Sequence, residues 1–369
     1  MCPLADICGV CRYPLVAHRL EKLAAVAILI LLSTFAVGRV LRPGEGPAPP
    51  GSTQAACHPD VPAPKLMSLS ARPPQMGYPA QVVFDGSTCR LLLFGPCCQL
   101  TNHPDEPQTW LWDGTSWGRI AAAGSPPEVI AAAIAYDPDT HSVIMFGGIE
   151  NGPGRVAETW AWENGAWRQL HPLHSPSARD GANAVYDEAH HRVVLFGGNA
   201  EGPGSNDTWT WDGTDWHLEH PDASPAPKVQ AALAYDPSRQ EVVLFGGYTP
   251  NVEANDTWTW NGVTWAHTEP RTSPPIGDFH AMAFDRDTRK VVLLLSRGYV
   301  NHETWTWDGS TWAQEHPKAK LPNRSNWQVV YDPAIQRLVL YETWGADGNA
   351  YGPTSAWVWT GSDWKPTGA

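Results

Sequence analysis

Four apolar runs ending in an aromatic residue and an acid, NAVYD (183–187), ALAYD (232–236), AMAFD (281–285) and QVVYD (328–332), are each led in by polar groups. The set comprises Arg179, Asp180 and Asn183; Lys228 and Gln230; Asp278 and His280; and Arg324, Asn326 and Trp327. Cations, carboxylates and amides beside an exposed indole suit a peptide or a sugar, which such groups grip by directed hydrogen bonds and ring contact. His280 is the lone histidine of the set and the natural acid–base group of an alternative reading, an oxidase or hydrolase. The plain alternative is that these groups only solvate the mouth of a channel.

Other residues with chemical potential are better explained by position. His171-Pro172, His220-Pro221 and His316-Pro317 recur at one place in a repeat, which points to structure rather than metal binding. Cys8-Gly-Val-Cys11 has a zinc-compatible spacing but no second pair nearby, so no metal site is expected. Cys89 and Cys97 stand at opposite ends of the run RLLLF, about 20 Å or more apart, too far for a disulfide. Cys57 is then the partner expected for one of the cysteines among Cys89, Cys97 and Cys98, if the domain is exported. Asn206-Asp207-Thr208 and Asn255-Asp256-Thr257 match the glycosylation acceptor pattern, yet they also fill a repeat position held elsewhere by Glu158-Thr159 and Glu303-Thr304.

The elements that position these residues come from a chain of 369 residues with 20 tryptophans, 33 glycines and 35 prolines. A net charge of -13 without a Lys/Arg cluster excludes nucleic acid as a partner. Residues 1–22 read as a short cytoplasmic segment. Residues 23–41 hold an apolar run, LAAVAILILLSTFAVG, and read as a transmembrane signal anchor. Secretion after cleavage near Ala36-Val37-Gly38 is the alternative. Three basic residues precede the run and two follow it, placing the N-terminus in the cytoplasm and the remainder outside. Residues 42–64 form a Pro/Gly-rich linker, and residues 65–369 form the folded domain.

Inside that domain six copies align on tryptophan: TWLWDGTSW, TWAWENGAW, TWTWDGTDW, TWTWNGVTW, TWTWDGSTW and AWVWTGSDW. They contribute Trp110, Trp112 and Trp117; Trp160, Trp162 and Trp167; Trp209, Trp211 and Trp216; Trp258, Trp260 and Trp265; Trp305, Trp307 and Trp312; and Trp357, Trp359 and Trp364. The first indoles are separated by 50, 49, 49, 47 and 52 residues, the mark of a repeat architecture. Upstream in each copy come two strand-length runs, QVVFD and RLLLFG in the first. Asp-Pro turns and Asp-Gly hairpins join the elements, so each copy supplies four strands. Indoles two apart share a face, and the third folds back beside them, so all three fill the gap between neighbouring sheets. Leu66 and Leu69 mark one further strand, residues 66–70, whose place in the fold is open.

These features resemble kelch repeats: the aromatic–acid end of strand one, Phe-Gly-Gly at 146–148, 196–198 and 245–247, and the spaced tryptophan pair. The resemblance spans residues 79–364 and implies an all-β fold, a six-bladed kelch-type β-propeller of four-stranded antiparallel blades. Gly95-Pro96, Leu295-Ser296 and Tyr341-Glu342 depart from the double glycine, so altered loop exits are expected there. Propellers related to kelch include copper-radical oxidases, but the Tyr, His and Cys set they need cannot be assembled here, and no cofactor is expected. A sialidase-type turn fails on spacing, because Asp308 and Gly309 are adjacent. The long strand two–three and four–one connections share one face, which is the expected recognition surface for a protein or carbohydrate ligand.

Overall fold

A computed structural model of the chain describes residues 66–70, 81–95, 108–112, 116–120, 124–150, 154–200, 204–249, 252–277, 279–297, 301–322, 324–345 and 356–367. The expected anchor at 23–41 and linker at 42–64 lie outside the described residues, and no described helix is long and apolar enough to cross a membrane.

The described residues are all-β. Five sheets have four strands, one has five, and two small sheets of three and two strands decorate the loops. Sheets one to six begin with the strands Gln81–Asp85, Ala133–Asp137, Asn183–Asp187, Ala232–Asp236, Phe279–Asp285 and Arg324–Asp332. In sheets two to six the four strands are antiparallel neighbours in chain order, because each connection is a tight reversal or a loop too short for a crossover. The first strand of each sheet touches that of the next, and the sixth touches the first, a propeller-like succession. Leu66–Ser70 pairs antiparallel with Trp117–Ile120, making a fifth strand on the outer edge of sheet one. That places the extra strand away from the inner succession.

Turn chemistry explains the reversals. The aspartate ending strand one caps its own turn: Asp137 Oδ1 accepts the amides of Asp139 and Thr140 at 3.0 and 3.4 Å, and Oδ2 accepts the Thr140 hydroxyl at 2.9 Å. Four residues after that aspartate the chain turns left-handed at the same place in all six copies, at Cys89, His141, His191, Gln240, Arg289 and Gln336. In sheet two, Asn164-Gly165 forms a two-residue hairpin with positive φ at both positions, the geometry that matches strand twist.

The indoles fill the gaps as the spacing predicts. Trp211 and Trp216 are buried against Ala133, Ala135, Ile144 and Phe146 of sheet two, with Trp209 packed beside them. Second and third indoles of one copy lie 5.1–5.5 Å apart between ring centres in all six sheets. A strand-two aromatic then meets the third indole of the next sheet edge-on: Phe94 with Trp167, Phe146 with Trp216, Phe196 with Trp265, Phe245 with Trp312. Tyr341 of sheet six meets Trp117 of sheet one in the same way, at 5.8 Å. Each buried indole contributes roughly 4–6 kcal/mol of gross hydrophobic stabilisation by area, an upper bound.

The double glycine sets strand length. Gly147 has φ 68°, and a Cβ there would lie 2.6 Å from the carbonyl oxygen of Arg179 in the next sheet. Strands one and two in sheets two to four accordingly stop after five residues. Where Leu295-Ser296 and Tyr341-Glu342 stand instead, pairing runs on, giving strands Lys290–Arg297 and Arg337–Gly345.

Candidate functional site

The face carrying the long connections is built by backbone bonds between sheets. Gly148 and Gly198 donate to the carbonyls of Arg179 and Lys228, each 2.8 Å away in the next sheet. Gly181 donates to Ala131 at 2.8 Å, and Gln230 to Gly181 at 2.7 Å. These three donors and acceptors, Ala131, Gly181 and Gln230, all have positive φ, so one such position leading into each of sheets two, three and four hands the chain of bonds from sheet to sheet.

Arg179 and Lys228 do not present their charges on this face. Arg179 is 2% exposed and holds Asp207 in a two-pronged bond at 2.6 and 2.9 Å, with further bonds to Gly197 and Ser177. Lys228 is equally buried and reaches Asp256 at 2.7 Å. Both carboxylates also accept the first indole of their copy, from Trp209 and Trp258, at 2.7 Å. Burial by itself raises the Asp207 carboxyl; the bonds and charge of Arg179, with Ser205 and Trp209, outweigh it and hold the group below the usual carboxylate range. Gln108, Glu158 and Glu303 serve Trp110, Trp160 and Trp305 likewise. The two cations are scaffold.

Trp327 corrects the expectation of an exposed platform. It is 5% exposed and stands edge-on to His302 at 5.1 Å, because strand one of sheet six is extended and turns the ring into the gap towards sheet five. His280 packs against Phe245 at 5.5 Å, in the gap between sheets four and five. Arg324 and Asn326 belong to the strand Arg324–Asp332, and Asp278 lies outside the described residues. Among the described side chains, Arg179, Lys228, His280 and Trp327 therefore do not converge on one pocket.

Asp180, Asn183 and Gln230 do come together. The Asp180 carboxylate takes the Arg155 guanidinium, and its backbone exchanges bonds with Asn199. The Asn183 amide donates to the carbonyl of Ala231, which follows Gln230. Beside them stands Tyr248, 40% exposed, whose backbone exchanges bonds with Val229 at 2.8 and 3.0 Å. Burial, and then the charge of Asp180, raise the Tyr248 hydroxyl above the ordinary tyrosine value, so it remains a neutral donor. The result is a rigid rim of one aromatic ring, one ion pair and two amides. Arg155 and Tyr248 were missed in the sequence. Tyr248 is the first residue after Phe-Gly-Gly, where the other two copies carry Ile149 and Asn199.

The histidine–proline pairs lead into a contact that recurs between sheets. Three residues after each histidine a backbone amide donates to the residue before the next sheet's third indole: His174 to Asp215, Ala223 to Thr264 and Ala319 to Asp363. The sequon threonines Thr208 and Thr257 accept the indoles of Trp265 and Trp312 across the gap. Among the described residues no group of three His, Cys, Asp or Glu is placed to hold a metal ion.

Comparison with known protein families finds no family model that matches this chain, and comparison with curated proteins finds no match.

Proposed function

We propose that the protein is a six-bladed kelch-type β-propeller, anchored by residues 23–41 and displayed outside the cell, that binds a protein or glycan through its long-loop face. The observation that carries the binding reading is Tyr248: a half-exposed ring whose backbone N–H and C=O are both bonded to Val229, next to the Arg155–Asp180 pair. Such a rim loses little side-chain freedom on binding, offers a flat apolar surface, and sets charged and amide donors around it. Peptide and carbohydrate ligands both use that combination. Six tandem copies and the aromatic contact between Tyr341 and Trp117 support the blade number.

The test is a glycan array and a displayed peptide library probed with the full chain in detergent, in parallel with the Tyr248→Ala/Asp180→Ala variant. A ligand retained by the parent and lost by the variant, at equal thermal stability, supports the reading. Ligands that bind both proteins alike, or none at all, count against it. Protease protection of the C-terminal domain in sealed vesicles tests the orientation separately.

A further inference from the structure

Four tryptophans carry a buried donor that no described protein group accepts. The indole nitrogens of Trp211, Trp260, Trp307 and Trp359 have no hydrogen-bond partner among the described residues, and each residue is at most 1% exposed. All four are the second indole of their copy, in sheets three to six. In sheet two the equivalent Trp162 donates to Oδ2 of Asp85, the turn aspartate of the preceding sheet, at 3.1 Å. By their place in the repeat the other four aim at Asp137, Asp187, Asp236 and Asp285. An unserved donor is an exception in native interiors, and the same exception four times at one repeat position calls for a common cause.

The gap between sheets three and four shows the cause most openly. A half-open pocket of about 150 Å³ there is lined by Trp260 and Asp187 together, with Thr210 and with His190 and Arg192 exposed at its mouth. Asp187 Oδ1 accepts the amides of Ala189 and His190 at 3.0 and 3.3 Å, and Oδ2 meets the His190 ring at 2.8 Å. Oδ2 thus keeps a lone pair to spare. The Thr210 hydroxyl donates to Glu219 at 2.7 Å and is not available to donate to a guest. A group in this space must accept from an indole N–H and donate to a carboxylate, which is the pattern of a hydroxyl. The space exceeds the roughly 30 Å³ share of one water in the liquid, and its wall is polar, so it is suited to be wet. In the gap between sheets two and three, burial holds the Asp137 carboxyl above its usual range despite three turn donors, as fits a carboxylate with unused acceptor capacity.

We infer that a water molecule bridges the indole N–H to the preceding sheet's turn aspartate in each of these four gaps, while the Trp162–Asp85 gap is closed by direct contact. Solvent between the sheets, repeated in four gaps, is then a structural ligand of this fold.

The test is NMR of the detergent-solubilised full chain, recording magnetisation transfer from long-lived water to indole N–H groups. Transfer is expected for Trp211, Trp260, Trp307 and Trp359 and not for Trp162. The Asp187→Ala variant is expected to shift or abolish the Trp260 signal alone, the other three serving as the control for folding; if that variant fails to fold, Asp187→Asn takes its place. A high-resolution crystal structure should place ordered solvent within about 3.2 Å of each of the four nitrogens. Direct indole–carboxylate bonds in those gaps, empty cavities, or a Trp260 signal indifferent to Asp187 would overturn the inference.

Discussion

Arg179 and Asp207 form a two-pronged ion pair whose partners stand 28 residues apart, as do Lys228 and Asp256. Removing one member leaves the other charged and largely dehydrated, so Arg179→Met should cost about 3 kcal/mol in urea denaturation, and the double variant Arg179→Met/Asp207→Asn should recover much of it. The pH dependence has a definite sign. Asp207 is held below its unfolded value of about 3.9, so its contribution is complete above that pH and is lost as pH falls through the lower folded value. The parent should therefore lose stability below about pH 4, with a flatter acid limb in Arg179→Met. At this scale the sequence was read incompletely. The cations stood out, but the acid two residues before the first indole looked like loop, because neither the ion pair nor Tyr248 has a local signature.

Elements were far more legible, because hydrophobic alternation and Asp turns are local and repeat six times. What the sequence could not display is how sheets fasten to one another. The third indole donates to the threonine before the first indole of the preceding sheet: Trp167 to Thr109, Trp216 to Thr159, Trp265 to Thr208, Trp312 to Thr257 and Trp364 to Thr304. Thr208→Val keeps the shape and leaves the Trp265 N–H unserved, which should cost about 1–2 kcal/mol in thermal or urea unfolding. Glycines divide in the same way. Gly147→Ala should cost about 2 kcal/mol or more, since the added carbon meets the Arg179 carbonyl, whereas Gly154 faces open space and its replacement by alanine should cost about 1 kcal/mol from φ alone. Equal costs at both sites would refute this division.

Over the whole molecule, each of the six large sheets is completed within its own repeat, sheet one gaining only Leu66–Ser70 on its outside. The seam between sheets six and one buries Leu91, Leu93, Trp117, Val339 and Tyr341. Deleting residues 323–369 uncovers that face and the one against sheet five together. The expected result is loss of the single cooperative urea transition, with dye-binding apolar surface on what remains. A truncated chain that unfolds in one sharp step, at the parent's midpoint, would mean that the succession of first strands contributes nothing to stability.

Among the described residues, no sheet borrows a strand from a different copy. Covalent order and spatial order are thereby decoupled: nothing in the hydrogen-bond ladders records which wedge was synthesised first. A gene opened between the third and fourth wedges, with its old ends joined by a flexible peptide, should encode the same object with its starting point moved. Proteins assembled this way can grow, shrink or be reordered by whole modules.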